Sequence, residues 1–121
     1  MKILINRCYG GFGFSEAFTE HIQSLIKGQL VNDNELWTRH NPFLVEEAIK
    51  FGLKEASGEY ADLNIDEIPD GAHYEIGEYD GQEWIAQVWI EATLDELRNG
   101  LSEEQLRLVS LGCDVKLTDT H

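Results

Sequence analysis

Positive charge is what this 121-residue chain most lacks. Nine Lys and Arg stand against 23 Asp and Glu, for a formal charge of −14 and a pI near 4.4. Between Lys54 and Arg98 there is no Lys or Arg at all. Direct binding to nucleic acid through phosphate neutralisation needs a basic face, so it is not expected. Cysteine is limited to Cys8 and Cys113. With no secretory apolar region ahead of them, two free thiols in a reduced, cytoplasmic setting are the default. No apolar run approaches the roughly 20 residues that a membrane span requires. Internal repeats and low-complexity segments are absent.

Chemical signatures are thin as well. Gly10, Gly11 and Gly13 are not followed by the Lys-Ser/Thr pair of a P-loop, and they lack Rossmann spacing. The Cys-x5-Arg phosphatase arrangement fails at Phe14. His21, His40 and His73 are too scattered to name an activating base for Cys8. Cys8, Cys113 and the histidines have no close ligand spacing, so no metal and no cofactor is expected. These absences lean against an enzyme.

What is present reads as one α+β domain of 121 residues, large enough to bury a core. Ile3, Leu4 and Ile5 form a short apolar run consistent with a buried strand. Ser15 can cap a helix that runs to Lys27 through Phe18, Ile22, Leu25 and Ile26. Gln29 to Arg39 is polar, and Asn32-Asp33-Asn34 favours a turn or loop. Asn41-Pro42 starts a second helix, with Phe43, Leu44, Ala48, Ile49 and Leu53 on one face and Ser57-Gly58 at its end.

From Tyr60 the apolar period becomes two. Ala61, Leu63 and Ile65 suggest one strand, Tyr74 and Ile76 a second, and Trp84, Ala86, Val88 and Ile90 a third. Pro69-Asp70-Gly71 and Asp80-Gly81 are the turns between them. Thr93 to Glu96 and Ser102 to Gln105 match the capping-box pattern and start two short helices. Val115 and Leu117 can add a short terminal strand. The predicted order is β-α-α-β-β-β-α-α: a four-stranded, mainly antiparallel sheet with helices largely on one face. Residues 92–121 form a helical extension packed on that domain.

Two surfaces invite a functional reading. The first is acidic. Strand alternation predicts that Asp62, Asp66, Glu75 and Glu83 share the face opposite Leu63, Ile65, Ile76 and Trp84. Ile85 and Trp89 would lie among those charges. Like charges across strands cost stability, so such a face suggests a basic partner, with Trp89 as an anchor. A plain solvated edge is the competing account. The second is the glycine turn. Arg7 could grip a phosphate or carboxylate, while Tyr9, Gly10, Gly11, Phe12 and Gly13 could hold a nucleotide or cyclic nucleotide. Alternatively, Arg7 pairs with a carboxylate and the aromatics are core.

The segments Ile5-Asn-Arg-Cys-Tyr-Gly-Gly-Phe-Gly-Phe-Ser15 and Glu67-Ile-Pro-Asp-Gly71, with Glu78-Tyr-Asp-Gly-Gln-Glu-Trp-Ile85, resemble an uncharacterised family of small bacteriophage- and prophage-encoded proteins. The resemblance spans roughly residues 1 to 90 and carries no activity with it. It implies a bacterial host cell. By analogy, small acidic phage accessory proteins often act without catalysis, by occupying a host protein's nucleic-acid site or by sequestering a signalling nucleotide. The expectation is therefore a non-enzymatic, DNA-mimicking inhibitor of a basic host factor, such as a CRISPR or restriction system. The alternative is a nucleotide-binding module, and a homo-oligomer is left open.

Overall fold

The computed structural model describes residues 1–26 and 37–118. The expected loop from Gln29 lies mostly outside them. The described residues form an α+β fold of six helices and five strands: β1 (Lys2–Asn6), α1 (Glu16–Leu25), α2 (Trp37–His40), α3 (Pro42–Phe51), α4 (Leu53–Ala56), β2 (Leu63–Glu67), β3 (His73–Tyr79), β4 (Gln82–Ala92), α5 (Leu94–Asn99), α6 (Glu103–Ser110) and β5 (Asp114–Leu117).

The expected four-stranded sheet does not form. The described residues form two small sheets instead, one of β1 and β2 and one in the order β3-β4-β5. Alternation located β2, β3 and β4 in the sequence. Hydrophobic period says which residues face inward, but nothing about which strand lies alongside. Strand β1 pairs antiparallel with β2, from Lys2 opposite Glu67 to Asn6 opposite Leu63. The two-residue turn between β3 and β4 is Asp80-Gly81, with φ of 54° and 94°. Both values lie in the left-handed region that a tight hairpin demands. Strand β5 adds to β4 in parallel.

The contacts group the residues into two compact units. One holds residues 2–67 and 77–84, and the other holds Met1, residues 68–76 and residues 85–121.

In the first unit, α1 and α3 are capped as their sequences predict. Ser15 Oγ accepts from Phe18 N at 3.1 Å, and Asn41 Oδ1 accepts from Phe43 N at 3.0 Å. The second predicted helix is broken in the middle. Gly52 takes a φ of 100°, and the chain restarts as the four-residue α4. Leu44, Val45 and Ala48 are buried, while Phe43 and Ile49 are exposed. These three residues join Leu4, Phe18, Ile22, Ala56 and Leu63 in the core. Phe14, Phe18 and Phe51 meet edge to face there, with centroids 5.1 and 5.3 Å apart.

In the second unit, Ile68, Ala72, Tyr74, Ile90, Ala92, Leu108 and Cys113 are the buried apolar residues. Both predicted capping boxes form. Thr93 Oγ1 accepts from Glu96 N and Glu96 Oε1 accepts from Thr93 N, and Ser102 and Gln105 do the same.

Candidate functional site

The glycine turn sits where three chain segments of the first unit converge. At its base is Asn6, which is completely buried. Its backbone N–H donates to Glu83 Oε1 at 2.9 Å, and its Nδ2 donates to the carbonyls of Cys8 and Gly81, each at 2.7 Å. Its Oδ1 accepts from Asp62 N at 2.7 Å. One side chain thus ties the turn, the entry to β2 and the β3–β4 hairpin together. Every polar atom of that side chain is satisfied, as burial requires.

Two glycines make the convergence sterically feasible. A Cβ on Gly10 would lie 1.7 Å from Tyr60 O, and one on Gly81 would lie 2.4 Å from Tyr9 O. No side chain fits at either distance. The turn is further held by Gly58 N donating to Gly13 O at 2.8 Å.

Glu83 is the least expected residue here. Alternation placed it on the wet face opposite an inward Trp84. The structure reverses them: Glu83 is buried and Trp84 is exposed, its indole covering Gly77. Arg39 Nη1 and Nη2 donate to the two Glu83 carboxylate oxygens at 2.7 and 2.9 Å. The Arg39 guanidinium also lies 3.5 Å over the Phe12 ring and donates to Leu4 O. A bidentate partner and a backbone N–H together offset the cost of burying the carboxylate. The physical reason for the error lies in β4. That strand buries Glu83 in the first unit, but buries Ile90 and Ala92, on its opposite face, in the second. A single-phase alternation cannot describe it.

The proposed ligand residues are mostly occupied within the fold. Arg7 Nη2 pairs with Asp66 Oδ1. Phe12 packs under Arg39 and edge-on to Phe14. Tyr9 is 65 % exposed, Gly10 and Gly11 carry the turn, and Gly13 accepts the bond from Gly58. The α1 N-terminus already has its Ser15 cap. Cys8 Sγ faces Tyr60 O at 3.0 Å and Asn6 Oδ1 at 3.4 Å. Both are acceptors for a thiol proton, and neither is a base that would generate a thiolate.

The proposed partner residues divide between the units. Asp62, Asp66 and Glu83 belong to the first, and Glu75, Ile85 and Trp89 to the second. Asp62 and Glu75 are exposed. Trp89 is half-buried, with His73 stacked on it at 5.8 Å and Lys116 Nζ 3.8 Å above its ring. Sequence reasoning missed Lys116 and His73 as its neighbours, since only strand pairing brings them there. It also missed Tyr60 and Tyr79, which are 69 % and 71 % exposed. Gly10 abuts Tyr60, Gly81 abuts Tyr9, and Tyr79 lies two residues before Gly81. Three exposed tyrosines are therefore carried on the converging segments. Asp62, Glu78 and Asp80 are exposed on the same stretches of chain.

Among the described residues, no group of three or more His, Cys, Asp or Glu is arranged to hold a metal ion. No helix among them is long and apolar enough to cross a membrane. No protein-family model, curated protein or solved structure matches this chain.

Proposed function

We propose that this protein is a non-enzymatic binding protein that engages a basic host protein through its acidic surface. The reading rests on one observation. The chain carries −14, and its cation-free stretch from Glu55 to Leu97 exposes Asp62, Glu75, Glu78, Asp80 and Glu91 among others. Three of the nine cations are committed elsewhere: Arg7 to Asp66, Arg39 to Glu83 and Arg107 to Glu104. Among the described residues, Asp62, Glu75, Glu78 and Asp80 have no ion-pair partner, while Glu91 lies 3.9 Å from His73. A surface of that kind attracts and orients a positive partner.

Asp66 and Glu83 drop out as contact residues, because their charge is met internally. Tyr9, Tyr60 and Tyr79 take the place given to Trp89. Tyrosine supplies a large, rigid contact with a polar tip at little entropic cost. The resemblance to phage and prophage proteins directs the choice of partner toward a nucleic-acid-binding defence factor, such as a CRISPR effector or restriction enzyme, whose DNA site would be occupied. The nucleotide-binding alternative has no comparable support, since Arg7 and Phe12 already have partners inside the fold.

The test is functional and electrostatic together. Host proteins that bind heparin are passed over the immobilised protein and eluted with salt. Each eluted protein is then assayed for DNA binding with and without the free acidic protein. The expected result is retention at about 0.1 M salt that is lost by about 0.5 M, with DNA binding blocked. Retention indifferent to salt, or an eluted protein that binds DNA equally well in the presence of excess acidic protein, would refute the reading.

A further inference from the structure

The second unit has a sheet whose buried face stops one strand early. Ile90 and Ala92 of β4 are 3 % and 1 % exposed. Their partners on β5 are Val115 and Leu117, so all four side chains share one face. Yet Val115 and Leu117 are 38 % and 46 % exposed. Leu94 and Leu97 of α5 and Leu106 of α6 are exposed too, and α5 buries no residue at all. Val115 and Leu117 thus leave apolar side chains uncovered next to the buried Ile90 and Ala92.

The backbone of β5 is open in the same way. Among the described residues it is an edge strand of the sheet. Thr118 N–H donates to Ala92 O at 3.1 Å. In a parallel ladder alternate residues turn both backbone groups to the same neighbour, so Asp114, Lys116 and Thr118 face β4. The N–H and C=O of Val115 and Leu117 therefore point away from β4. Such an edge is a template for another strand.

We propose that β5 pairs antiparallel with β5 of a second copy of this chain, about a two-fold axis at Val115. The charges select this register. Asp114 and Lys116 flank Val115 on the face opposite to it. A two-fold axis at Val115 sets each Asp114 against Lys116 of the other copy, whose ammonium also lies 3.8 Å over its own Trp89 ring, so opposite charges meet twice. It also sets the two Val115 residues opposite one another, where their outward N–H and C=O groups exchange a pair of hydrogen bonds. Moving the axis by half a residue or more loses the charge pairing. Local charge favours self-contact here as well. Over residues 98–118, Arg98, Arg107 and Lys116 balance Glu103, Glu104 and Asp114, although Asp95 and Glu96 of α5 lie just before them and the chain as a whole carries −14.

Light scattering on size-exclusion peaks and sedimentation equilibrium test the proposal directly. A dimer is expected at about 100 µM. It should tighten as salt rises from about 0.1 to 0.5 M, because screening relieves the net repulsion. Binding to a basic partner should weaken over the same range, so the two proposals fail separately. Lys116→Asp sets Asp against Asp and should weaken dimerisation by about tenfold or more. The swap Asp114→Lys with Lys116→Asp should restore it. Val115→Pro removes an outward N–H while leaving the β4 ladder intact, and should abolish the dimer. Circular dichroism confirms that each variant is folded. A wild-type monomer at both salt concentrations overturns the proposal. So does a dimer indifferent to both Lys116→Asp and Val115→Pro, or one that the charge swap fails to restore. A monomer whose Val115 and Leu117 amides resist hydrogen exchange would assign the cover to another segment of the same chain, and would also overturn it.

Discussion

Replacing Arg39 by Met should cost the first unit about 3–4 kcal/mol at pH 7. The substitution removes both hydrogen bonds to Glu83, the bond to Leu4 O and the cation over Phe12. Glu83, only 7 % exposed, is left with the single N–H of Asn6. Breaking a buried pair by removing one member typically costs about 3–5 kcal/mol. Arg39→Met combined with Glu83→Gln should recover at least half of the loss, because Gln still accepts from Asn6 and carries no charge. Urea unfolding followed by tryptophan fluorescence, run on wild type, both single variants and the double variant, closes the cycle. A loss below about 1 kcal/mol for Arg39→Met, as for an exposed ion pair, would refute the argument. So would a double variant whose loss equals the sum of the singles.

Gly10→Ala should destabilise by about 2 kcal/mol or more, because its methyl group cannot coexist with Tyr60 O 1.7 Å away. Gly11→Ala is the comparison, since nothing lies within 4 Å of its Cβ position and only its φ of 93° opposes the change. Thr93→Ala should cost about 1 kcal/mol by removing the acceptor for Glu96 N, read as a lowered melting temperature. The hydrogen bond from Thr93 N holds the Glu96 carboxyl below its usual range, and the hydrogen bond from Arg107 does the same for Glu104. The stability these two carboxylates add is present above the unfolded carboxylate value and lost as pH falls through their folded values. Helices α5 and α6 should accordingly loosen below about pH 4, seen by amide exchange. Burial holds the His40 imidazole below the ordinary histidine value. The unfolded chain then takes up that proton first, so stability should decline as pH drops from about 6.5. His40→Gln should flatten that slope in denaturation curves taken from about pH 7.5 to 5.5.

Local signals carried much of this fold. Ser15, Asn41, Thr93 and Ser102 all cap helices, and each needs only its own next three residues to do so. Asp80-Gly81 makes its turn because both residues accept positive φ. The short terminal strand at Val115 and Leu117 is where β propensity placed it. The acidic balance and the 43-residue gap between Lys54 and Arg98 are likewise properties of the chain itself. None of these depends on a distant partner.

Partnership was decided by tertiary structure alone. Alternation could not assign four strands to two sheets, nor place β5 parallel to β4, because pairing depends on side chains far apart in sequence. It also could not show that β4 buries one face near Glu83 and the other near Ile90. Arg39 and Glu83 are 44 residues apart, and Asn6 reaches 75 residues along the chain to Gly81. A charged residue reads as solvent-facing until a buried counter-charge is known to meet it. Composition thus settles how negative this protein is, while only the folded chain settles which of its carboxylates still face outward.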